Sequence, residues 1–340
     1  MMGAWLITEL ENQRYYHHLP MAVGAVYVSV RRVVFLSWSG RGRPDLPGGV
    51  SYQEIREEQL GAATARLLKA DGERCLSVEE RIPLNLYRYL TRAPEMEFAE
   101  VATAVSMVET LREQKTAWEL EQLELACAIT DHAFYVVLDY IKPGVTELEI
   151  AALLEKEMRL GGSEEPNKTI VAAGVHSAFP HHWPISYAVR EGDFVTMDYG
   201  CRVNGYHSDL TRTVVVGKAS ERQRHIYETV LEAQLASIDI LRAGKTGGEV
   251  DRVARSIIEK AGYEGAFLHN LGHGIGLSIH EGTGLIKDSD KLLKPGMVVS
   301  IEPGIYLENY GGVRIEDIAV VEADGCRVLE HSPKKLFELR

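Results

Sequence analysis

Long apolar runs are missing from this chain: no stretch approaches the roughly 20 consecutive apolar residues of a membrane-spanning helix. Cysteine is scarce. Cys75, Cys127, Cys201 and Cys326 are scattered with no paired spacing, which excludes a disulfide framework or a cysteine zinc cluster and reads as reduced thiols of a cytoplasmic protein. Cys201 reads as a small apolar filler. An excess of positive charge is lacking too. The chain has 37 Lys and Arg against 49 Asp and Glu, a net charge of −12, which argues against nucleic acid or an anionic membrane as partner. The start, from Met1 to Glu9, is too short and too soon interrupted by acid to read as a signal peptide. What is present is ordinary for a soluble globular protein: 45% hydrophobic and 25% charged residues over 340 positions. That length suits two domains, or one large domain and a smaller one.

The first hundred or so residues read as a small α/β unit. Residues 23–30 and 33–38 are β-branched and aromatic, hence strands. Residues 54–69 carry helical periodicity, and a further strand is expected at 99–108. The polar segment 109–115 marks the boundary, because a long helix pattern starts there and runs to about Ile141. The expected domains are 1–111 and 112–340.

Two carboxylates stand out in Val195-Thr-Met-Asp198-Tyr-Gly-Cys-Arg-Val-Asn-Gly-Tyr-His-Ser-Asp209. Asn204-Gly205 is a strong signal for a two-residue hairpin turn, since both residues tolerate positive φ. With that turn Val203 pairs with Tyr206 and Asp209 faces Gly200. Asp198 then lies on the same sheet face, diagonally adjacent, at roughly 7–8 Å between Cα atoms. Like charges so close repel unless a cation sits between them; a solvated acidic face is the alternative reading of the hairpin alone.

Beyond residue 115 the sequence repeats itself. Lys142-Pro-Gly-Val-Thr-Glu-Leu-Glu-Ile150 aligns with Arg242-Ala-Gly-Lys-Thr-Gly-Gly-Glu-Val250. Thr146 with Glu149 and Thr246 with Glu249 form capping boxes for helices ending near Gly161 and Gly262. Glu191-Gly-Asp-Phe-Val-Thr-Met-Asp198-Tyr-Gly aligns with Pro295-Gly-Met-Val-Val-Ser-Ile-Glu302-Pro-Gly. Two alignments in one order indicate two related α+β halves about a pseudo-twofold axis. The second half offers Glu302 and Glu316, though Pro303 leaves its register open. Four carboxylates converging in one place could not all stay ionised without metal ions. His273, between glycines, is the fifth candidate ligand. Such a donor set suits two divalent ions, manganese, cobalt or zinc.

The motifs Asp198-Tyr-Gly, Gly205-Tyr-His-Ser-Asp209-Leu-Thr-Arg-Thr213, His269-Asn-Leu-Gly-His273-Gly-Ile-Gly, His280-Glu281, Glu302-Pro-Gly and Gly312-Val-Arg-Ile-Glu316-Asp317 resemble those of the pita-bread metallopeptidases, in their prolidase and aminopeptidase P branch. The resemblance spans roughly residues 115–340. It implies an α+β pita-bread catalytic domain with Asp198, Asp209, His273, Glu302 and Glu316 as ligands of a dinuclear centre. Asp209 and Glu316 would bridge the ions, and Glu302 would double as proton shuttle. It implies that a metal-bridged hydroxide attacks the carbonyl before a proline at the second position of a peptide. His181, with its neighbour His182 as the other candidate, resembles the histidine that stabilises the tetrahedral intermediate. His280 resembles one that contacts substrate near the scissile bond. His269 is read as a substrate contact or a support for the site. Arg314, two residues before Glu316, is a candidate for holding a carboxylate in or next to the site. A homodimer is the family expectation.

The resemblance thins towards the start. Residues 1–111 look only loosely like a creatinase-type N-terminal domain: the helix that usually precedes Trp5-Leu-Ile is absent, and His17-His18 stands in place of a small residue and glycine. No arginine follows between Glu281 and Glu302 to grip a dipeptide's carboxylate, which leans away from a strict dipeptidase. Methionine aminopeptidase activity is an alternative, opposed by the Ser208–Thr213 run and the N-terminal domain. A non-catalytic, creatinase-like member is another, opposed by the five intact ligand positions.

Overall fold

The structure, a computed structural model, describes residues 3–17, 23–38, 40, 46–104 and 107–340. Contacts divide the chain into two compact units, Met1–Arg112 and Glu113–Arg340. The first unit is built on a six-stranded sheet in the order Val50–Glu54, Val33–Ser37, Gly24–Val28, Ala4–Ile7, Cys75–Glu79, Glu100–Ala104. Leu6, Leu36, Leu60, Leu68, Leu76 and Leu90 form its core under the helices Leu60–Asp71 and Leu84–Thr91.

Three local expectations are corrected here. Residues 54–69 are not one helix: Glu54 ends a strand, and a 3-10 turn at Glu57–Gln59 precedes the α-helix from Leu60. Pairing with Val33–Ser37 recruits 50–54 into the sheet, and ladder partners outweigh a local helical pattern. The last strand stops at Ala104, and Met107–Arg112 is helical; Val105 and Ser106 lie outside the described residues, as do Met1, Met2 and His18. The long helix does not begin near Glu109 but spans Ala117–Leu138, because Thr116 and Glu119 form a capping box.

The second unit is α+β and carries the repeat. Ala117–Leu138 and Glu147–Leu160 precede the strands Ile170–Ala173, Phe194–Tyr199 and Leu210–Val216. Glu221–Ile240 and Gly247–Lys260 precede Val298–Ile301, Gly304–Leu307, Gly311–Arg314 and Asp317–Val321. The two short helices start alike: Thr146 has φ −92° and ψ 156°, Thr246 φ −92° and ψ 154°, each in a capping box with the glutamate three residues on. Each threonine also bridges to a later segment, Thr146 to Ala188 and Thr246 to Leu292. Val250, Ala254 and Ile258, four residues apart, turn one helical face inward. Each half has its own apolar core, with Phe134, Leu154 and Met197 in the first and Tyr227, Ile258 and Val299 in the second.

Both hairpins that carry carboxylates have a defined register. Asn204 at φ 47° and Gly205 at φ 91° make the tight turn. Val203 pairs with Tyr206, Tyr199 with Leu210 and Asp198 with Thr211, so Gly200 faces Asp209 and Asp198 sits two pairs away on the same face. In the second hairpin Ile301 pairs with Asp317 and Gly304 with Arg314. Those pairs share one register, so Pro303 interrupts the ladder without shifting it and Glu302 stands opposite Glu316.

Candidate metal centre

Strand alternation sends Asp198, Asp209, Glu302 and Glu316 to one cleft of about 630 Å³, which His181, His269, His273, His280 and Arg314 also line. All nine candidate site residues thus share a single cavity. The strands meet closely enough to need glycine. A Cβ on Gly200 would lie 2.0 Å from the Ser208 carbonyl oxygen, and one on Gly272 1.9 Å from that of Ser300. Glycine at these two positions lets backbone approach backbone behind the carboxylates. The halves are stitched at the same place. Glu316 N–H donates to the Thr211 carbonyl at 3.1 Å, and the buried Arg212 donates to the Glu316 carbonyl at 2.5 Å and to Asp317 at 2.7 Å.

Asp209, His273 and Glu316 aim donor atoms that all lie within 4.8 Å of one another. His273 Nε2 is 3.4 Å from Asp209 Oδ2 and 3.5 Å from Glu302 Oε1, while its Nδ1 lies 3.1 Å from the Gly274 carbonyl oxygen. A proton on Nδ1 donated to that carbonyl leaves Nε2 as the ligating nitrogen. Glu316 is 1% exposed. Its Oε2 accepts from Thr211 Oγ1 at 2.5 Å, and its Oε1 has no hydrogen-bond partner. A buried carboxylate oxygen without a donor is costly, and a cation is the partner that a surrounding made of carboxylates and an imidazole calls for.

The electrostatics give the same demand for positive charge. Burial, and then Asp209, Glu302 and Asp198, push the Glu316 carboxyl well above the usual range. Burial raises Glu302 to about 7 against the pull of His273 and Arg314. It raises Asp198 to about 6, where Arg314 pulls down and Asp209 pushes up. Burial opposes the His273 imidazolium, yet the hydrogen bond to Asp209 and the charges of Glu302 and Asp209 raise it to about 9. Protons collect where the acids crowd, and a divalent ion competes for the same place.

Arg314 is buried and spends its guanidinium on the chain itself. Nη2 meets Asp198 Oδ2 at 2.5 Å, Nη1 the Tyr306 hydroxyl at 2.9 Å and Nε Thr211 Oγ1 at 3.1 Å. His269 Nε2 lies 2.8 Å from the same Tyr306 hydroxyl, and burial with the Arg314 charge lowers its pKa to about 3. His181 and His280 sit on the lip of the cleft, open to solvent on one side and desolvated on the other. Burial and then Arg314 lower the first, burial and then His273 the second. His182 faces elsewhere: with His176 it binds the buried Glu147, at 2.8 and 2.9 Å. Glu147 also accepts from the N–H groups of Ala173 and Ile185, so both its oxygens are satisfied without an ion. Thr211, Ser300 and Tyr306 were missed by the sequence reading. Period-two alternation from Asp209 and Glu302 would have found all three on the carboxylate face.

Comparisons with known proteins agree with this geometry. Residues 121–323 match metallopeptidase family M24. The Xaa-Pro dipeptidase of Pyrococcus furiosus is 43% identical over 232 residues, 68% of this chain and 67% of that protein. Among solved structures, the Xaa-Pro dipeptidase from Bacillus anthracis superposes with a TM-score of 0.92 at 37% identity, covering 99% of this chain and 95% of the other. The X-Pro aminopeptidase from Thermotoga maritima gives a TM-score of 0.89 at 31% identity, over 99% and 98%. With its two α+β halves, its acid-and-histidine cleft and these relatives, the chain belongs to metallopeptidase family M24 and has the pita-bread fold.

Proposed function

We propose that this chain is a metal-dependent exopeptidase that hydrolyses the Xaa-Pro bond at the N-terminus of peptides. In this reading Asp198, Asp209, His273, Glu302 and Glu316 would hold two divalent ions, manganese, cobalt or zinc. The supporting observation is the Glu316 carboxylate, buried with one oxygen unpaired beside the donor atoms of Asp209 and His273. When bound, such ions lower the pKa of water and polarise a carbonyl.

The remaining chemistry belongs to the chain's own residues. Glu302, half-buried near His273 and held at Oε1 by Ser300 Oγ at 3.1 Å, takes a proton from the attacking water and passes it to the leaving proline nitrogen. His181 and His280, their pKa values lowered by burial and neighbouring charge, are neutral N–H donors for the substrate carbonyl as it gains negative charge. Arg314 fixes the Asp198 carboxylate, while His269 and Tyr306 brace Arg314 from behind. The Xaa-Pro bond is a tertiary amide with no N–H, so a site that recognises the acyl side and protonates the nitrogen is suited to it. Residues 1–111 are read as the creatinase-like partner domain, and a cytoplasmic homodimer as the setting.

The named relatives include both a dipeptidase and an aminopeptidase, so substrate length is decided by comparing Ala-Pro with Ala-Pro-Ala. Asp209→Ala is expected to lower Xaa-Pro hydrolysis at least about 100-fold. Hydrolysis at the wild-type rate by that variant, or wild-type protein that takes up no Mn²⁺, Co²⁺ or Zn²⁺, ends the reading.

A further inference from the structure

We infer that Lys115 is a positioning residue for His280, acting through a buried ion pair with Glu281. This rests on the reading above, in which His280 contacts the substrate. Lys115 does not line the cleft. Its Nζ lies 3.0 Å from Glu281 Oε1, and the two side chains are only 2% and 8% exposed. Glu281 Oε2 accepts from the Ser278 N–H at 2.9 Å, and the Glu281 N–H donates to the Gly274 carbonyl at 2.8 Å. One carboxylate oxygen thus ties Glu281 to Lys115, and the other ties it to the turn that leads into His280.

The space around the pair is filled. A Cβ on Gly276 would lie 2.2 Å from Glu281 Oε1 and 2.9 Å from Lys115 Cε. The lysine end is anchored as firmly: Lys115 N–H donates to the Gly296 carbonyl at 2.8 Å, and Gln114 Nε2 to that of Pro295 at 2.9 Å. On the far side of the turn, Thr283 Oγ1 donates to Glu113 Oε1 at 2.9 Å. Residues 113–115 thus hold the His280–Glu281 turn on both flanks. His280 needs that hold. Its imidazole makes no hydrogen bond to the chain among the described residues; it meets the His273 ring at 4.0 Å between centroids. Its place is set by the backbone on either side, and Glu281 sets that backbone. Without Lys115 the Glu281 carboxylate loses the buried cation at its Oε1. Its hold on the Ser278 N–H slackens, and His280 loses its aim. A displacement of about 1 Å is enough to cost catalysis heavily.

The test is a double-mutant cycle on the full-length, Mn²⁺-loaded protein with Ala-Pro and Ala-Pro-Ala as substrates. Lys115→Met is expected to lower kcat/KM about 10-fold or more, chiefly in kcat, with manganese content equal to wild type. In a His280→Ala background the same change is expected to cost less than about two-fold, because the residue it positions is gone. Should Lys115→Met fail to fold, Lys115→Met with Glu281→Gln replaces it in the cycle, since that pair removes both buried charges together. Losses that multiply in the two backgrounds overturn the inference, as does loss of manganese from the lysine variant or an unchanged kcat. If His280→Ala alone retains full activity, the assignment of His280 to the substrate has failed and the inference falls with it.

Discussion

At the scale of single residues, the acids and His273 are supported by neutral hydroxyls. Ser300 is the clearest case: its Oγ accepts from the His273 N–H at 2.9 Å and donates to Glu302 Oε1 at 3.1 Å. Ser300→Ala removes the acceptor of that part-buried N–H and frees the Glu302 carboxylate. We expect a stability loss of about 1 kcal/mol, the ordinary cost of a lost hydrogen bond, with weaker Mn²⁺ uptake. Denaturant melts of metal-free protein together with a Mn²⁺ titration check both effects; a variant equal to wild type in each shows that Ser300 supports neither group. The five ligand candidates were legible in the sequence because acids and histidines are scarce in glycine-rich strand ends and carry charge that has to be answered. Ser300, Thr211 and Tyr306 were not, because a hydroxyl is common and its importance depends on what lies across the cleft. For Thr211 that is Glu316 and Arg314, more than a hundred positions away in the chain.

At the scale of elements, local signals carried the reading well and distant partners limited it. The capping boxes at Thr146 and Thr246 need only residues within four of each other, and both form. Thr146→Ala and Thr246→Ala should each cost about 1 kcal/mol. The two caps share no partner, so the losses should add to within about 0.5 kcal/mol. Urea melts of the single and double variants check this, and a double variant no worse than either single one contradicts independent halves. The Asn204-Gly205 hairpin was legible for the same reason, since its register follows from one turn. Its counterpart was not: Pro303 breaks the ladder, and only the pairs on either side reveal that Glu302 faces Glu316. The strand expected at 99–108 overran into the helix Met107–Arg112, whose fit involves Asn12: its Oδ1 accepts from Arg112 Nη1 at 2.7 Å, a partner 100 positions earlier.

At the scale of the whole molecule, the repeat concentrates acid at its centre, and the consequence is a definite dependence of stability on pH and metal. In the metal-free protein Asp198 rises from 3.8 to about 6 and Glu302 from 4.5 to about 7. His273 rises from 6.5 to about 9, and Glu316 lies well above its ordinary 4.5. Each group holds its proton more tightly folded than unfolded. By linkage, the stability these groups contribute is fully present below the unfolded values and is lost as pH rises through the folded ones. Metal-free protein should therefore melt at a lower temperature near pH 8.5 than near pH 6. A divalent ion reverses the trend, because it takes the place of those protons and binds better as they leave. The rise in melting temperature on adding Mn²⁺ should be larger near pH 8.5 than near pH 6. Uptake near pH 7 should also release protons, which calorimetry in two buffers of different ionisation heat will count. A metal-induced gain that stays constant or shrinks as pH rises means that the carboxylates and His273 do not compete with protons for the ion, and the centre then lies elsewhere. Acid loss below about pH 4 is a separate matter: Asp317, held low by Arg212 and Lys334 against burial, acts in the opposite sense there and leaves this window untouched.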